Sequence, residues 1–234
     1  MIGRLLGPLV TAVHPGELDV IVVANGCTDD TAQVAASFGP PVRVVSIPVA
    51  SKRAALVAGD EAARDFPRMY VDADVELGAD DVRALGDVLR RPGALAAGPQ
   101  RVLALTGSSW LVRWYYDVWL RLPEVRSGLF GRGVIGLSEA GHARVARLPP
   151  LLADDLAASL VFGPDERVIV PGARVAGLAG PGAGHLDGDR GGGVAVLAVD
   201  DPGEVLLRPH GARLGGACLQ PHGNDGHGGQ AQHS

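Results

Sequence analysis

The sequence predicts an α/β fold: a mostly parallel sheet flanked by helices, followed by an irregular tail. Three observations carry that expectation. Over the first hundred residues, apolar runs of strand length alternate with stretches of helical period. The run DVIVVA (19–24) is near-continuous rather than alternating, as expected of a strand buried on both faces. From about Gly177 the texture changes. Residues 171–234 hold 17 of the 34 glycines, too many for packed helices and strands to continue as before. The expected organisation is therefore one α/β domain over 1–176 and a Gly-rich tail over 177–234.

Ile2, Leu5, Leu6, Leu9, Val10 and Val13 recur at helical spacing, so the chain opens with a helix bearing one apolar face, ended by His14-Pro15-Gly16. Asp19 to Ala24 is the first strand, and Asn25-Gly26 turns the chain out of it. Thr28 caps a helix reaching Phe38, with Asp29 and Asp30 in its first turn, where the helix dipole favours anions. Gly39-Pro40-Pro41 stops that helix, and Val42 to Ile47 is the next strand. Lys52 to Arg64 is Ala-rich and reads as a helix, Arg68 to Val71 as a strand, and Ala79 to Arg90 as a further helix closed by Pro92-Gly93. Ala94 to Ala97 is a strand.

Ser108 to Leu122 holds Trp110, Trp114 and Trp119, with Tyr115, Tyr116 and interleaved arginines. Two readings stay open there: a helix docked on the sheet, or an amphipathic surface over 110–122 that meets a membrane or an acceptor. Gly131, Gly133 and Gly136 formally spell G-x-G-x-x-G, but no clear strand precedes them, so they read as a glycine-permitted turn into a strand. Ser138 to Arg147 is helical, Pro149-Pro150 breaks it, Ala153 to Val161 begins another helix, and Arg167 to Val170 is a strand. In the tail, Val194–Val199 and Glu204–Leu207 pair as a hairpin, and the rest reads as disordered.

A formal net charge of -5 does not suit a polyanionic partner, so nucleic acid is set aside. Cys27 and Cys218 make no disulfide framework and fit a reducing compartment. Nothing resembles a signal peptide, and no apolar run approaches the roughly 20 residues of a spanning helix. The expected location is cytoplasmic, at most against the inner face of the membrane.

The stretch MYVDADVEL (69–77) is a short apolar strand that stops at Asp72 and Asp74. In open α/β sheets the carboxyl end of the strands is where ligands bind. Hard carboxylate oxygens suit Mg²⁺ or Mn²⁺, which in turn hold a diphosphate. The alternative is a solvated acidic turn. Asp154 and Asp155 likewise have two readings: plain helix capping, or a carboxylate base at a helix start.

Taken in order, VIVVANGCTDDTA (20–32), SKRAALVAGDEAA (51–63), YVDADVEL (70–77), GRGVIGLSEAG (131–141) and LLADDLAAS (151–159) resemble the family 2 glycosyltransferases. These are inverting nucleotide-sugar enzymes of the A-type glycosyltransferase fold. The resemblance implies a nucleotide-diphospho-sugar transferase-like sheet and a role for each matching residue. Asn25 and Asp29 lie near the base and ribose. Lys52, the one lysine of the chain, sits beside the nucleotide. Asp72 contacts ribose or metal, and Asp74 holds the metal that bridges the diphosphate. Asp155, with Asp154 beside it, accepts the proton of the acceptor hydroxyl. The implied cofactor is Mg²⁺ or Mn²⁺, the donor a nucleotide-diphosphate sugar, and the acceptor is left open, lipid-linked or cell-envelope material included.

Two departures qualify the resemblance. The family begins with an apolar strand ending in a Pro-x-Tyr-Asn-Glu-like motif, and Met1 falls beyond that point, so the domain is expected to be N-terminally truncated. Family members also continue past the Arg174-Val175 position into a Pro- and Arg-rich helical segment, where this chain turns Gly-rich. Two rival readings therefore stand: an inactive sugar-nucleotide-binding remnant, and a haloacid-dehalogenase-like phosphatase, which also places Asp-x-Asp at a strand end. Against the phosphatase, Glu76 stands where Thr or Val is wanted, and Lys52 lies upstream of the acidic pair rather than downstream.

Overall fold

The structure is a computed structural model that describes residues 1–103, 109–148, 159–177 and 194–199. These belong to a unit spanning Met1–Pro202. In chain order the elements are α1 (Ile2–Thr11), β1 (Leu18–Asn25), α2 (Thr31–Ala36), β2 (Val42–Ile47), α3 (Lys52–Ala62), β3 (Arg68–Asp72), α4 (Ala79–Leu89), β4 (Ala96–Leu103), α5 (Trp110–Trp119), α6 (Pro123–Ser127), β5 (Val134–Leu137), α7 (Glu139–Val145), β6 (Arg167–Gly177) and β7 (Val194–Val199).

The strands form one sheet in the order β2-β1-β7-β3-β5-β4-β6. It is a mixed sheet, which corrects the expectation of a mostly parallel one. β1 pairs with β2, and β4 with β6, in parallel. The four remaining pairings, β1 with β7, β7 with β3, β3 with β5 and β5 with β4, are antiparallel. The helix–strand alternation of the first hundred residues does align β1 to β4 in one direction. The later strands β5 and β7 run the other way and insert between them, and each insertion converts a parallel neighbour into two antiparallel ones.

β7 is the larger departure from expectation. Residues 194–199, read from the sequence as one arm of a tail hairpin, are instead an interior strand, third of the seven. Both edges of β7 are taken, by β1 and by β3, so no edge is left for a hairpin partner. All six residues are buried. Leu197 sits between Val20 on one side and Met69 on the other. Such a run, VAVLAV, is what a strand covered on both faces requires.

The two faces follow from strand alternation. On one face Val20, Val22, Met69, Val71, Ala195 and Leu197 meet the apolar stripes of α1 and α4. That stripe on α1 is Ile2, Leu5, Leu6 and Leu9, as its period predicts, with Val10 and Val13 packed at its margin. On the opposite face Ile21, Val23, Val194 and Val196 meet α3. Gly59 of α3 lies so close to Val196 that any Cβ there would overlap it, which sets how deeply α3 sits on β7. Further along that face Ala96, Leu129, Ile135, Leu137 and Phe162 form a smaller cluster under α7.

The 131–136 glycines do what the turn reading expects. Gly131 and Gly133 have positive φ, and Gly136 lies within β5. β4 runs on to Leu103 and β6 to Gly177, held together past a register shift between Pro99 and Gln100. No residue of α5 is buried, and its half-covered Trp119 meets Arg101 of β4. No described helix is long and apolar enough to cross a membrane.

Candidate functional site

The carboxyl ends of β1 and β3 lie on one edge of the sheet, two strand positions apart with β7 between them. Asn25 is the last residue of β1 and is buried. Its side-chain Oδ1 accepts the backbone N–H of Ser51 at 2.7 Å. Ser51 in turn caps α3, its Oγ accepting the N–H of Ala54 at 3.2 Å. Asn25 thus fixes where α3 starts. Lys52 is the first residue of that helix, and its Nζ lies 3.0 Å from Oδ1 of Asp72, the last residue of β3. Three of the residues singled out from the sequence, Asn25, Lys52 and Asp72, are therefore linked through a continuous run of contacts.

Asp29 and Asp74 do not join them. Asp29 is exposed, and its Oδ1 accepts the N–H of Thr31 at 3.1 Å, closing the turn into α2. Hydrogen bonds from the Thr31 side chain and backbone hold its carboxyl below the usual value. The helix begins at Thr31 rather than at Asp29, so the acidic pair precedes the first turn instead of occupying it. Asp74 parts from Asp72 because β3 ends at Asp72 and the chain turns, the N–H of Val75 reaching back to the Asp72 carbonyl at 3.3 Å. Val75 is drawn into the core on the α1 side. Asp74 is left exposed beside a small depression lined by Met1, Arg4, Ala73 and Glu76. Alternation alone puts residues two apart on one face, but only while the strand lasts. Asp154 and Asp155 lie outside the described residues.

Asp72 and Lys52 stand at a cavity of about 290 Å³ between α3 and α7, over β3 and β5. Its wall is apolar: Leu56 and Val57 from α3, Ile135 and Leu137 from β5, and Val145 from α7. Away from the Lys52–Asp72 pair it holds a second polar group. Asp60 of α3 accepts the hydroxyl of Tyr70 at 2.7 Å and Nη1 of Arg68 at 3.1 Å, and lies 3.1 Å from Nε2 of His142. Burial pushes the Asp60 carboxyl up, but the bonds from His142, Tyr70 and Arg68 outweigh it and hold it below its ordinary 3.8. Burial, reinforced by the negative charge of Asp60, pushes the Tyr70 phenol well above the usual range, so Tyr70 stays a donor. The His142 ring also packs against Phe66, with centroids 5.3 Å apart.

No protein-family profile matches this chain. No curated protein matches it either. Among solved structures it is similar to a crystal structure of a mycobacterial protein, at 20% identity over 67% of this chain and 54% of that one, with a TM-score of 0.44. The chain spans about half the length of that structure, and a likeness at that score carries no argument.

Sequence reasoning did not single out Asp60, Tyr70 or His142. Asp60 lies inside the helix read from SKRAALVAGDEAA, and Tyr70 reads as one apolar strand residue among several. His142 is 82 residues from Asp60. One signal was present. Tyr70 and Asp72 are two apart on β3, and so share a face. Among the described residues no group of three or more His, Cys, Asp or Glu is arranged to hold a metal ion. Asp72 supplies one carboxylate at the cavity mouth, and Mg²⁺ commonly takes one or two protein carboxylates and completes its shell with phosphate and water.

Proposed function

We propose that the chain binds a nucleotide-diphosphate sugar along the carboxyl edge of β1 and β3 and transfers its sugar, with inversion, to an acceptor hydroxyl. The observation that carries the reading is the Lys52–Asp72 contact at the mouth of a largely apolar cavity that also holds a carboxylate-oriented imidazole. Ligand pockets run from roughly 300 to 1,000 Å³, so a cavity near the lower limit suits a single sugar ring, with the nucleotide lying along the open sheet edge.

In this reading the bond between the anomeric carbon and the diphosphate oxygen breaks as the bond to the acceptor oxygen forms. The acceptor proton passes to a base on the opposite face. Lys52 and Arg53, both at the cavity, meet the charge that develops on the leaving diphosphate. A Mg²⁺ or Mn²⁺ ion, when bound by Asp72, supplies further charge stabilisation there. Asp74 takes part only if the turn after β3 re-aims it. Asp155, with Asp154, is the base that the family resemblance implies. Within the described residues His142, held by Asp60, is the group at the cavity suited to the same task. The transferase-like fold belongs to this proposal as well.

The test is thermal unfolding with UDP-, GDP- and dTDP-sugars, with and without Mn²⁺. The expected result is a Mn²⁺-dependent rise for one donor that is absent in Asp72→Ala. If none of the three raises the unfolding temperature, both the transferase and the remnant readings are withdrawn. The phosphatase reading keeps one point in its favour, because Lys52 does reach Asp72 in space despite lying upstream in sequence. Turnover of an aryl phosphate, lost in Asp72→Asn, would replace the transferase with it.

A further inference from the structure

We propose that α5 is a membrane-surface helix, which lays its aromatic face into a bilayer carrying anionic lipid. The helix has two unlike faces. At 100° per residue, Trp110, Leu111, Trp114, Tyr115 and Val118 fall within one continuous arc, and every one of them is exposed, as is Leu122 just past the helix end. Trp110 is 78%, Trp114 62% and Tyr115 57% accessible, so the largest side chains of the helix are spent on solvent. The opposite arc carries Tyr116, Trp119 and Leu120, which are only partly exposed. Trp119 is the point of attachment. The Arg101 guanidinium lies 4.6 Å over its ring while donating to the carbonyls of Phe130 and Gly131.

The aromatic arc has no use inside the described protein, since no α5 residue contributes to the core. Its chemistry fits a lipid interface. Trp and Tyr pair an apolar ring with a polar tip, which suits the boundary between acyl chains and headgroups. Arg113 borders the arc, Arg121 follows just past the end of α5, and Arg126 lies on α6, each of them exposed. Arg121 also pairs with Asp117 at 2.7 Å. Residues 109–127 carry three arginines against one Asp and one Glu, a local positive excess in a chain of net charge -5. That sign complements anionic headgroups and is opposite to the rest of the chain. Ten residues are too few to span a bilayer, so the helix lies in the plane of the surface.

The test uses the full chain with vesicles of phosphatidylcholine alone and of phosphatidylcholine with phosphatidylglycerol. All three tryptophans of the chain lie in this helix, so their emission reports on α5 and nothing else. The expected result is co-sedimentation with the anionic vesicles and a blue shift of emission, weaker by on the order of tenfold without the anionic lipid or in Arg113→Glu/Arg121→Glu. Trp110→Ser/Trp114→Ser should abolish binding while leaving the thermal unfolding temperature unchanged, because neither side chain is buried. Binding that ignores the tryptophan substitutions, equal binding to both vesicle types, or no binding to either overturns the proposal. So does a blue shift that rises with protein concentration in the absence of lipid, which would make the occupant a second copy of this chain.

Discussion

Asp60→Asn is the substitution that most directly probes how the cavity is built. Asp60 is the one carboxylate on which Arg68, Tyr70 and His142 converge, and Arg68 itself is only 8% exposed. Removing one partner of a fully buried ion pair costs about 3–5 kcal/mol. Two features reduce that here. The Asp60 side chain keeps 28% of its surface in solvent. Arg68 also retains the carbonyls of Asp60, Ala63 and Asp65 as acceptors, at 3.2, 3.1 and 3.1 Å. A loss of about 2 kcal/mol is therefore expected, or roughly 4–8 °C in a domain of this size.

The pH dependence gives the sharper check. The folded-state pKa of Asp60 is depressed, so its contribution is fully present above the unfolded value and is lost as pH falls through the folded one. The gap between wild type and Asp60→Asn, measured by urea unfolding, should be largest near neutral pH. It should shrink as pH falls below 3.8 and close once pH has passed the lowered folded-state value, where wild-type Asp60 itself is neutral. A gap under about 0.5 kcal/mol at neutral pH would show that the network does not stabilise the fold, since that is the scatter of ordinary surface substitutions. A gap that persists unchanged to about pH 2 would show that the cost is steric rather than electrostatic.

Two further outcomes are expected. Leu197→Ala, a fully buried side chain between Val20 and Met69, should cost about 2–5 kcal/mol in urea unfolding; near-wild-type stability would mean that β7 is not an interior strand. Under the proposed transferase reading, His142→Gln should leave donor binding intact but lower sugar transfer by about 10²–10⁴-fold; if transfer survives in His142→Gln and is lost in Asp155→Asn, His142 has no part in the proton transfer.

Much of the fold was legible because it is local. The stripe Ile2, Leu5, Leu6 and Leu9 gives α1, and the continuous run 19–24 gives β1. Order and direction of strands are not local. Nothing in VAVLAV says that it will settle between β1 and β3, because both of its pairings form across more than a hundred residues. The candidate site divides in the same way. Asn25, Lys52 and Asp72 sit at element ends, where strand and helix signals are strong, and they come together. Asp74 depends on the dihedrals of a turn, which spacing does not encode. Asp60 and His142 meet only through the stacking of α3 and α7 over β3 and β5.

The placement of β7 also bears on what the candidate site can be. Neighbouring strands are about 4.8 Å apart, so with β7 between them the ends of β1 and β3 are separated by roughly 10 Å. Asn25 and Asp72 are then too far apart to touch. The gap is bridged from the other side of the edge, where Asn25 anchors Ser51 and the next residue, Lys52, extends to Asp72. A long cationic side chain at that position is what the geometry calls for, and an acidic or short residue could not make the span. The site therefore rests on two remote parts of the chain at once. The 194–199 strand sets the distance between the two strand ends, and the start of α3 crosses it. Weakening β7 should consequently disturb the Lys52–Asp72 contact even though Val194 is the one β7 residue that lines the cavity.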